Sequence, residues 1–185
     1  IRDKHVTGVQ ACALPIFFAA FFFLAIVTRR GPLGAGAIYV GLPVLALLYL
    51  RGHDGGLLLA FWAMALVWAC DIGAYFAGRA IGGPKLMSTV SPNKTWAGLV
   101  GGVIAATGFA LLLTLWGLPV TLALATPLLA VLAQAGDLYE SHLKRRAGVK
   151  DSGTVLPGHG GVLDRLDGLV PVAPIAALLV VIQGY

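Results

Sequence analysis

Apolar residues in this chain come as long runs, with almost no stripe or alternation. Six stretches stand out: about Pro15 to Thr28, Leu33 to Leu50, Leu57 to Ala80, Trp96 to Trp116, Pro119 to Leu138 and Leu169 to Ile182. A helix crossing a bilayer takes roughly 20 predominantly apolar residues, with about 17 to 25 the usual range. The first and last runs are short on that scale. No run alternates apolar and polar positions as a membrane barrel strand does. The pattern predicts an all-α fold, a polytopic transmembrane helical bundle. Within the fourth run, "GLVGGVIAATG" (Gly98 to Gly108) supplies small residues for close helix packing.

The polar residues are gathered between the runs, chiefly in two long loops, 79–95 and 139–168. Counting the spans in order, the loops alternate sides of the membrane. One side receives Arg29, Arg30, Arg79, Lys85, Lys94, Lys144, Arg145, Arg146, Lys150 and Arg165. The other receives Arg51, and Arg2 and Lys4 lie in the first 16 residues. Of 13 basic residues, 10 therefore share a side, which the positive-inside rule makes cytoplasmic. Both long polar loops fall on that side, so the expectation is one shared active site of cytoplasmic-facing loops at an inner (plasma) membrane.

Composition agrees with this reading. The 185 residues are 58% hydrophobic and 11% charged, against about 25% charged in a soluble domain. The net charge of +5 is accounted for by sidedness and attraction to anionic headgroups, so no nucleic-acid partner is expected. Cys12 and Cys70 form neither a CxxC pair nor a metal spacing, and Cys70, inside an apolar run, is expected to be a small buried residue. Residues 1–16, "IRDKHVTGVQACALPI", resemble translated sequencing-adapter read-through and are set aside as a non-native leader. Residues 17–185 are read as one membrane-embedded domain, truncated at its N-terminus.

Four polar stretches carry candidate chemistry. In "DIGAYFAGR", Asp71, Tyr75 and Arg79 are spaced four apart and share a helix face. A carboxylate in a span costs about 2.5 to 3.5 kcal/mol on insertion scales and is a functional candidate by default. The alternative is an internal Asp71–Arg79 pairing that serves packing. In "STVSPNKTWAG", Ser91-Pro92 reads as a helix entry, where Ser88, Ser91, Lys94 and Thr95 can meet a phosphate beside helix N–H groups. The alternative is a capped helix start with a snorkelling lysine. In "GDLYESHLKRR", Asp137, Ser141 and Lys144 line one face if the helix continues. Lys144, Arg145 and Arg146 also suit simple headgroup anchoring.

The fourth stretch, "KDSGTVLPGHGGVLDRLDG", is the richest. Asp164 and Asp167 are three apart and would face the same way on a helix. With Asp137, and Asp71 as a further candidate, they offer hard oxygen ligands of the kind Mg²⁺ takes alongside substrate phosphates. Gly158, Gly160 and Gly161 allow close backbone approach to an anion, and His159 stands among them. A flexible turn with an interfacial histidine is the plain alternative. Together the ingredients point to phosphoryl or nucleotidyl transfer, which needs positioned cations and metal-bridged oxygens more than a covalent nucleophile. There is no GxxxxGK[ST] loop and no serine elbow.

The run "SHLKRRAGVKDSGTVLPGHGGVLDRLD", Ser141 to Asp167, resembles the signature of the phosphatidate cytidylyltransferase (CDP-diacylglycerol synthase) family, and the chain looks like the C-terminal portion of a bacterial-type member. "DIGAYFAGR" and "SPNKTWAG" resemble that family's upstream motifs in the same order. Ala97 departs from the family, which often carries Glu or Gln there, so no role is transferred to position 97. The resemblance implies that CTP and phosphatidate give CDP-diacylglycerol and pyrophosphate. Carried over by position, Asp137, Asp164 and Asp167 would bind divalent metal, and Lys144, Arg145, Lys150 and His159 would hold phosphates. Ser141 and Asp151 would be nucleotide contacts or support them. Asp71, Arg79, Ser91, Lys94, Thr95, Gly160, Gly161 and Arg165 would complete the substrate pocket. The resemblance also implies Mg²⁺, with a monovalent cation such as K⁺, and a homodimer.

Other readings are weaker. A CDP-alcohol phosphotransferase would show DGxxAR followed by GxxxDxxxD, whereas Asp167-Gly168 is followed by "LVPVA". A CTP-using polyprenol kinase shares the nucleotide but not the signature. An ion-coupled transporter would place its function in the spans, with Asp71 and Asp137 as ion sites, whereas the polar groups here concentrate in loops.

Overall fold

The computed structural model describes residues 31–88, 90–149 and 166–184. Five helices and a short hairpin make up these residues: α1 (Gly31–Arg51), α2 (Gly56–Ala80), β1 (Lys85–Met87), β2 (Ser91–Thr95), α3 (Trp96–Leu113), α4 (Val120–Arg146) and α5 (Leu169–Ile182). A single 3₁₀ turn, Thr114–Trp116, ends α3. The fold is an all-α helical bundle, and the apolar runs are its helices. In lipid every backbone N–H and C=O must be satisfied within the segment, which leaves an uninterrupted apolar run little choice but helix. Three helical stretches are long and apolar enough to cross a membrane: Gly56–Ala80, Trp96–Trp116 and Val120–Arg146. Ile38–Arg51 and Leu169–Ile182 are shorter apolar helices. The run from Pro15 to Thr28, residues 1–16 and Cys12 lie outside the described residues.

The bundle is organised by small residues on the inside and large ones on the outside. The buried positions of α3 are Gly98, Gly102, Ala106, Ala110 and Leu113, a spacing of four and then three that draws one narrow stripe. Its large residues Val100, Ile104, Leu111 and Leu112 are exposed, as suits a surface solvated by acyl chains. The stripe lies against α2. A Cβ at Gly98 would stand 3.0 Å from the Ala74 carbonyl, one at Gly102 2.7 Å from the Cys70 carbonyl, and one at Gly101 would strike the Ala77 side chain. The small residues expected in "GLVGGVIAATG" therefore set the α2–α3 approach, as close packing without a hydrophobic driving force requires. Gly108 takes no part, since a Cβ there would meet nothing.

The remaining core joins Leu50 of α1, Trp62 and Leu66 of α2, Leu122 and Leu129 of α4, and Val172 and Val180 of α5. Its polar atoms are paired. The Trp62 indole N–H donates to Thr126 Oγ1 at 3.1 Å, and that hydroxyl donates to the Leu122 carbonyl at 3.0 Å. Pro127, next along α4, takes one N–H out of the helix, the kind of interruption that nearby hydroxyls make tolerable in a membrane helix. Cys70 is fully buried, in line with its apolar surroundings in the sequence.

Two elements differ from the expectation. Ser91-Pro92 does not begin a helix. It lies on β2, which pairs antiparallel with β1 in the register Lys85–Thr95 and Met87–Ser91, with an irregularity between. A two-stranded ribbon has an outer edge where the missing N–H of Pro92 costs no ladder bond. The helix starts five residues later, capped by Thr95, whose Oγ1 accepts the Gly98 N–H at 3.1 Å. The fifth run also ends later than its hydropathy suggests. α4 continues past Leu138 to Arg146, so its last two turns are polar helix.

The helices alternate in direction, so the C-termini of α2 and α4, the hairpin and the N-terminus of α5 gather at one end. Arg79, Lys85, Lys94, Lys144, Arg145 and Arg146 are all at this end, while Arg51 is at the other.

Candidate active site

The continuation of α4 builds the first part of the site. Asp137 and Ser141 are one turn apart, and Ser141 Oγ donates to Asp137 Oδ1 at 3.3 Å. Lys144, a further turn along, is held by Glu140, with Nζ 3.3 Å from Oε1. Glu140 is only 3% exposed, so its charge is compensated inside the protein, as a buried carboxylate requires.

The hairpin brings the second part. Lys94 on β2 reaches across to α4, where its ammonium forms an ion pair with Asp137 Oδ2 and donates to the Gln134 carbonyl at 3.5 Å. Beside this pair is a cavity of about 280 Å³, whose lining includes Asp71 and Tyr75 from α2, Asn93, Lys94 and Thr95 from the hairpin, and Gln134 and Asp137 from α4. Asp71 is exposed into it. Arg79 does not pair with Asp71 in the described residues. Two turns separate them, and the guanidinium instead donates to the Tyr75 hydroxyl at 3.4 Å. The packing alternative for Asp71 therefore loses its partner. Arg79 is tied to the cavity only through Tyr75.

A second cleft of about 340 Å³ adjoins the first through Asn93. Val90, Ser91 and Pro92 form one wall, and Ser141, Lys144 and Arg145 form the other. It combines two hydroxyls, a carboxamide and two cations, a set suited to an anion with several oxygens. Arg146 is exposed at the helix end, in the position of a headgroup anchor.

Asp167 completes the described part of the site. It sits in the turn that precedes α5, so it is not on a helix as its spacing from Asp164 suggested. Its Oδ1 accepts the Gly168 N–H at 2.7 Å. Burial and the charge of Asp137 raise the Asp167 carboxyl well above the usual carboxylate range, against the Gly168 N–H that lowers it. Two neighbouring carboxyls whose charges oppose each other suit a shared cation, so the donor set fits a hard divalent metal. What permits the approach is Gly136. A Cβ there would lie 2.9 Å from the Asp167 carbonyl oxygen and 2.6 Å from Pro171 Cγ.

The structure thus brings together Asp71, Lys94, Thr95 and Asp137, with Asp167 near enough to feel the Asp137 charge, and sets Ser91, Ser141, Lys144 and Arg145 in the adjoining cleft. Lys150, Asp151, His159, Gly160, Gly161, Asp164 and Arg165 lie outside the described residues. Among the described residues no three His, Cys, Asp or Glu side chains group closely enough to hold a metal by themselves. Four residues were missed. Glu140 lies three after Asp137 and four before Lys144, so the spacing that singled out Ser141 also selects it. Gln134 is a polar residue in an apolar run. Asn93 lies inside a quoted motif. Tyr39 of α1 faces the charges of Glu140 and Asp167, and nothing local in the sequence signals it.

Residues 3–183 match the cytidylyltransferase family. The chain is 52% identical over 157 residues to the phosphatidate cytidylyltransferase of Brucella melitensis biotype 1, an alignment covering 80% of this chain and 57% of that protein. It is 45% identical over 143 residues to that of Bacillus subtilis (75% of this chain, 53% of that one). With the Haemophilus influenzae protein of the same name it shares 47% over 135 residues (66% and 46%). The chain spans about half the length of these curated relatives. The family match runs through α2, the hairpin, α4 and the turn before α5, and so through every element that brings a charged group to the two clefts: the chain belongs to the cytidylyltransferase family.

Proposed function

We propose that the protein transfers a cytidylyl group from CTP to phosphatidate, forming CDP-diacylglycerol and pyrophosphate for phospholipid synthesis. The observation that carries this reading is the pair of adjoining clefts, one edged by carboxylates and the other by cations, at the end of a membrane bundle that belongs to this family. A phosphate oxygen of phosphatidate attacks the α-phosphorus of CTP in line. A new P–O bond forms there, the bond to the β-phosphate oxygen breaks, and its electron pair leaves with pyrophosphate.

The residues divide this work by charge. Lys144 and Arg145, with Ser91 and Ser141, hold phosphate oxygens in the second cleft, and Lys150, His159 and Arg165 serve as further phosphate or substrate contacts. Gly160 and Gly161 let backbone approach the triphosphate, and Asp151 contacts the nucleotide. Asp71, Lys94 and Thr95 shape the first cavity, and Arg79 steadies Tyr75 in its wall. Asp137, Asp167 and Asp164 would hold Mg²⁺, with a monovalent cation such as K⁺ nearby. When bound, such an ion would supply positive charge to offset what builds up on the phosphate oxygens during transfer. The lysine-rich end faces the cytoplasm at the inner (plasma) membrane by the positive-inside rule, which places the nucleotide on the side where it is made. Phosphatidate enters from the bilayer, and the protein works as a homodimer.

The test is turnover of labelled CTP by the protein in liposomes, offered phosphatidate, other lipid phosphates and lipid alcohols in turn. Labelled CDP-diacylglycerol with released pyrophosphate is expected only with phosphatidate, is lost in EDTA and returns with Mg²⁺. Transfer to an alcohol, or turnover that survives exhaustive chelation, would overturn the reading.

A further inference from the structure

Lys94 is held in an unusual place for a lysine that serves a phosphate. Its backbone is fixed on both sides, by the β1–β2 pairing and by Thr95 as the cap of α3, so only its side chain is free to change position. That side chain does not point into the cationic cleft. It crosses to α4 and sits on Asp137, the carboxylate whose charge also acts on Asp167. Neither partner is sealed away: the Lys94 side chain is 20% exposed and that of Asp137 29%. The pair is thus open to exchange with ions from water. Among the described residues, Lys144 is engaged with Glu140 and Arg79 with Tyr75, Arg145 lines the other cleft, and Lys85 and Arg146 are exposed.

An ammonium on Asp137 and a divalent cation on the same carboxylate repel each other at short range. One must leave when the other arrives. The cationic cleft adjoins this cavity through Asn93, the residue before Lys94 on β2, so a nucleotide phosphate bridging the two would lie near the ammonium.

We propose that Lys94 is an internal placeholder cation: it occupies Asp137 while no divalent ion is bound, and is released to a phosphate oxygen of the nucleotide when that ion takes the carboxylate. This rests on the proposed metal-dependent nucleotide chemistry and adds a coupling to it. Each ligand favours the same position of Lys94, so by linkage each strengthens binding of the other. Without a nucleotide, Lys94 weakens metal binding, which keeps the carboxylates neutralised between turnovers.

The experiment follows Mn²⁺ binding by electron paramagnetic resonance in the detergent-solubilised protein, with and without a non-hydrolysable CTP analogue. Lys94→Met keeps the aliphatic stem and removes the charge. It is expected to bind Mn²⁺ about fivefold tighter than the parent when no nucleotide is present, and to show a smaller gain when the analogue is added. Lys94→Arg keeps the charge and is expected to stay within about twofold of the parent without nucleotide. A Lys94→Met protein with an unchanged melting temperature whose Mn²⁺ affinity is equal or lower would overturn the proposal, since an orienting lysine gives that result. So would Lys94→Arg behaving like Lys94→Met, or a parent that binds no Mn²⁺. None of these outcomes depends on CTP turnover with phosphatidate, which judges the proposed function separately.

Discussion

The two ends of the bundle are both hollow, and the larger hollow is the less informative one. Between the start of α2 and the end of α3 lies an apolar groove of about 730 Å³, lined by Leu57, Leu58, Phe61, Phe109, Leu113 and Trp116. At the opposite end the carboxylate cavity is about 280 Å³ and the cationic cleft about 340 Å³. In water an apolar groove of that size would ask for an occupant. In a bilayer it faces acyl chains and costs little to leave open. A cavity that keeps Asp71, Lys94 and Asp137 at the end of a membrane helix is costly to maintain. The charges, and not the volume, mark the candidate working end.

That contrast can be broken most directly at Asp137. Asp137→Asn keeps the shape and the Ser141 contact but removes the charge that pairs with Lys94 and the proposed metal ligand. CTP turnover is expected to fall at least about 100-fold, the effect of losing a few kcal/mol of transition-state stabilisation. Turnover within about threefold of the parent, with unchanged melting, would mean that the polar end is not the catalytic one.

A smaller effect is expected at Gly136, which is not itself a polar group. Gly136→Ala pushes a methyl against Pro171 and the Asp167 carbonyl. It should lower the melting temperature by several degrees, as overpacking by about 1 to 3 kcal/mol does. It should also cut turnover about tenfold by separating Asp167 from Asp137. An unaffected variant would show that the α4–α5 approach does not set the carboxyl pair.

The least effect is expected at the apolar end. Phe61 packs edge-on against Phe109 with ring centroids 6.1 Å apart, so Phe61→Ala should cost about 0.5 to 1.5 kcal/mol in stability beyond its lost area. Turnover of CTP should stay within about twofold. A loss comparable to that at Asp137 would give the larger groove a catalytic role and reverse the comparison.

Much of the fold was legible along the chain. Leu57–Ala80 became α2 with one residue added, and Trp96–Trp116 became α3 and its terminal turn. Hydropathy has this reach because the bilayer forbids an unsatisfied backbone. It failed where the chain leaves the bilayer. There, Asp137 to Arg146 stays helical through pairs one turn apart, such as Ser141–Asp137 and Lys144–Glu140, and not through apolarity. Likewise a three-residue and a five-residue strand containing a proline leave too little pattern to separate a hairpin from a loop.

The candidate site divides in the same way. That Asp71, Lys94, Asp137, Ser141 and Lys144 are candidates for chemistry follows from the sequence alone, because charged and hydroxyl groups at membrane depth or at its edge need a reason to be there. The sidedness of the basic residues follows too. What only the tertiary structure decided is which charge meets which. Lys94 and Asp137 are separated by most of α3 and α4, and their pairing depends on the hairpin register and on glycines that let helices close to backbone contact. Asp167 reaches Asp137 because Gly136 has no side chain in the way. Arg79, two turns from Asp71 on one helix face, bonds Tyr75 instead. Spacing places residues on a face, but packing between helices selects their partners, and those contacts have no local signature in the chain.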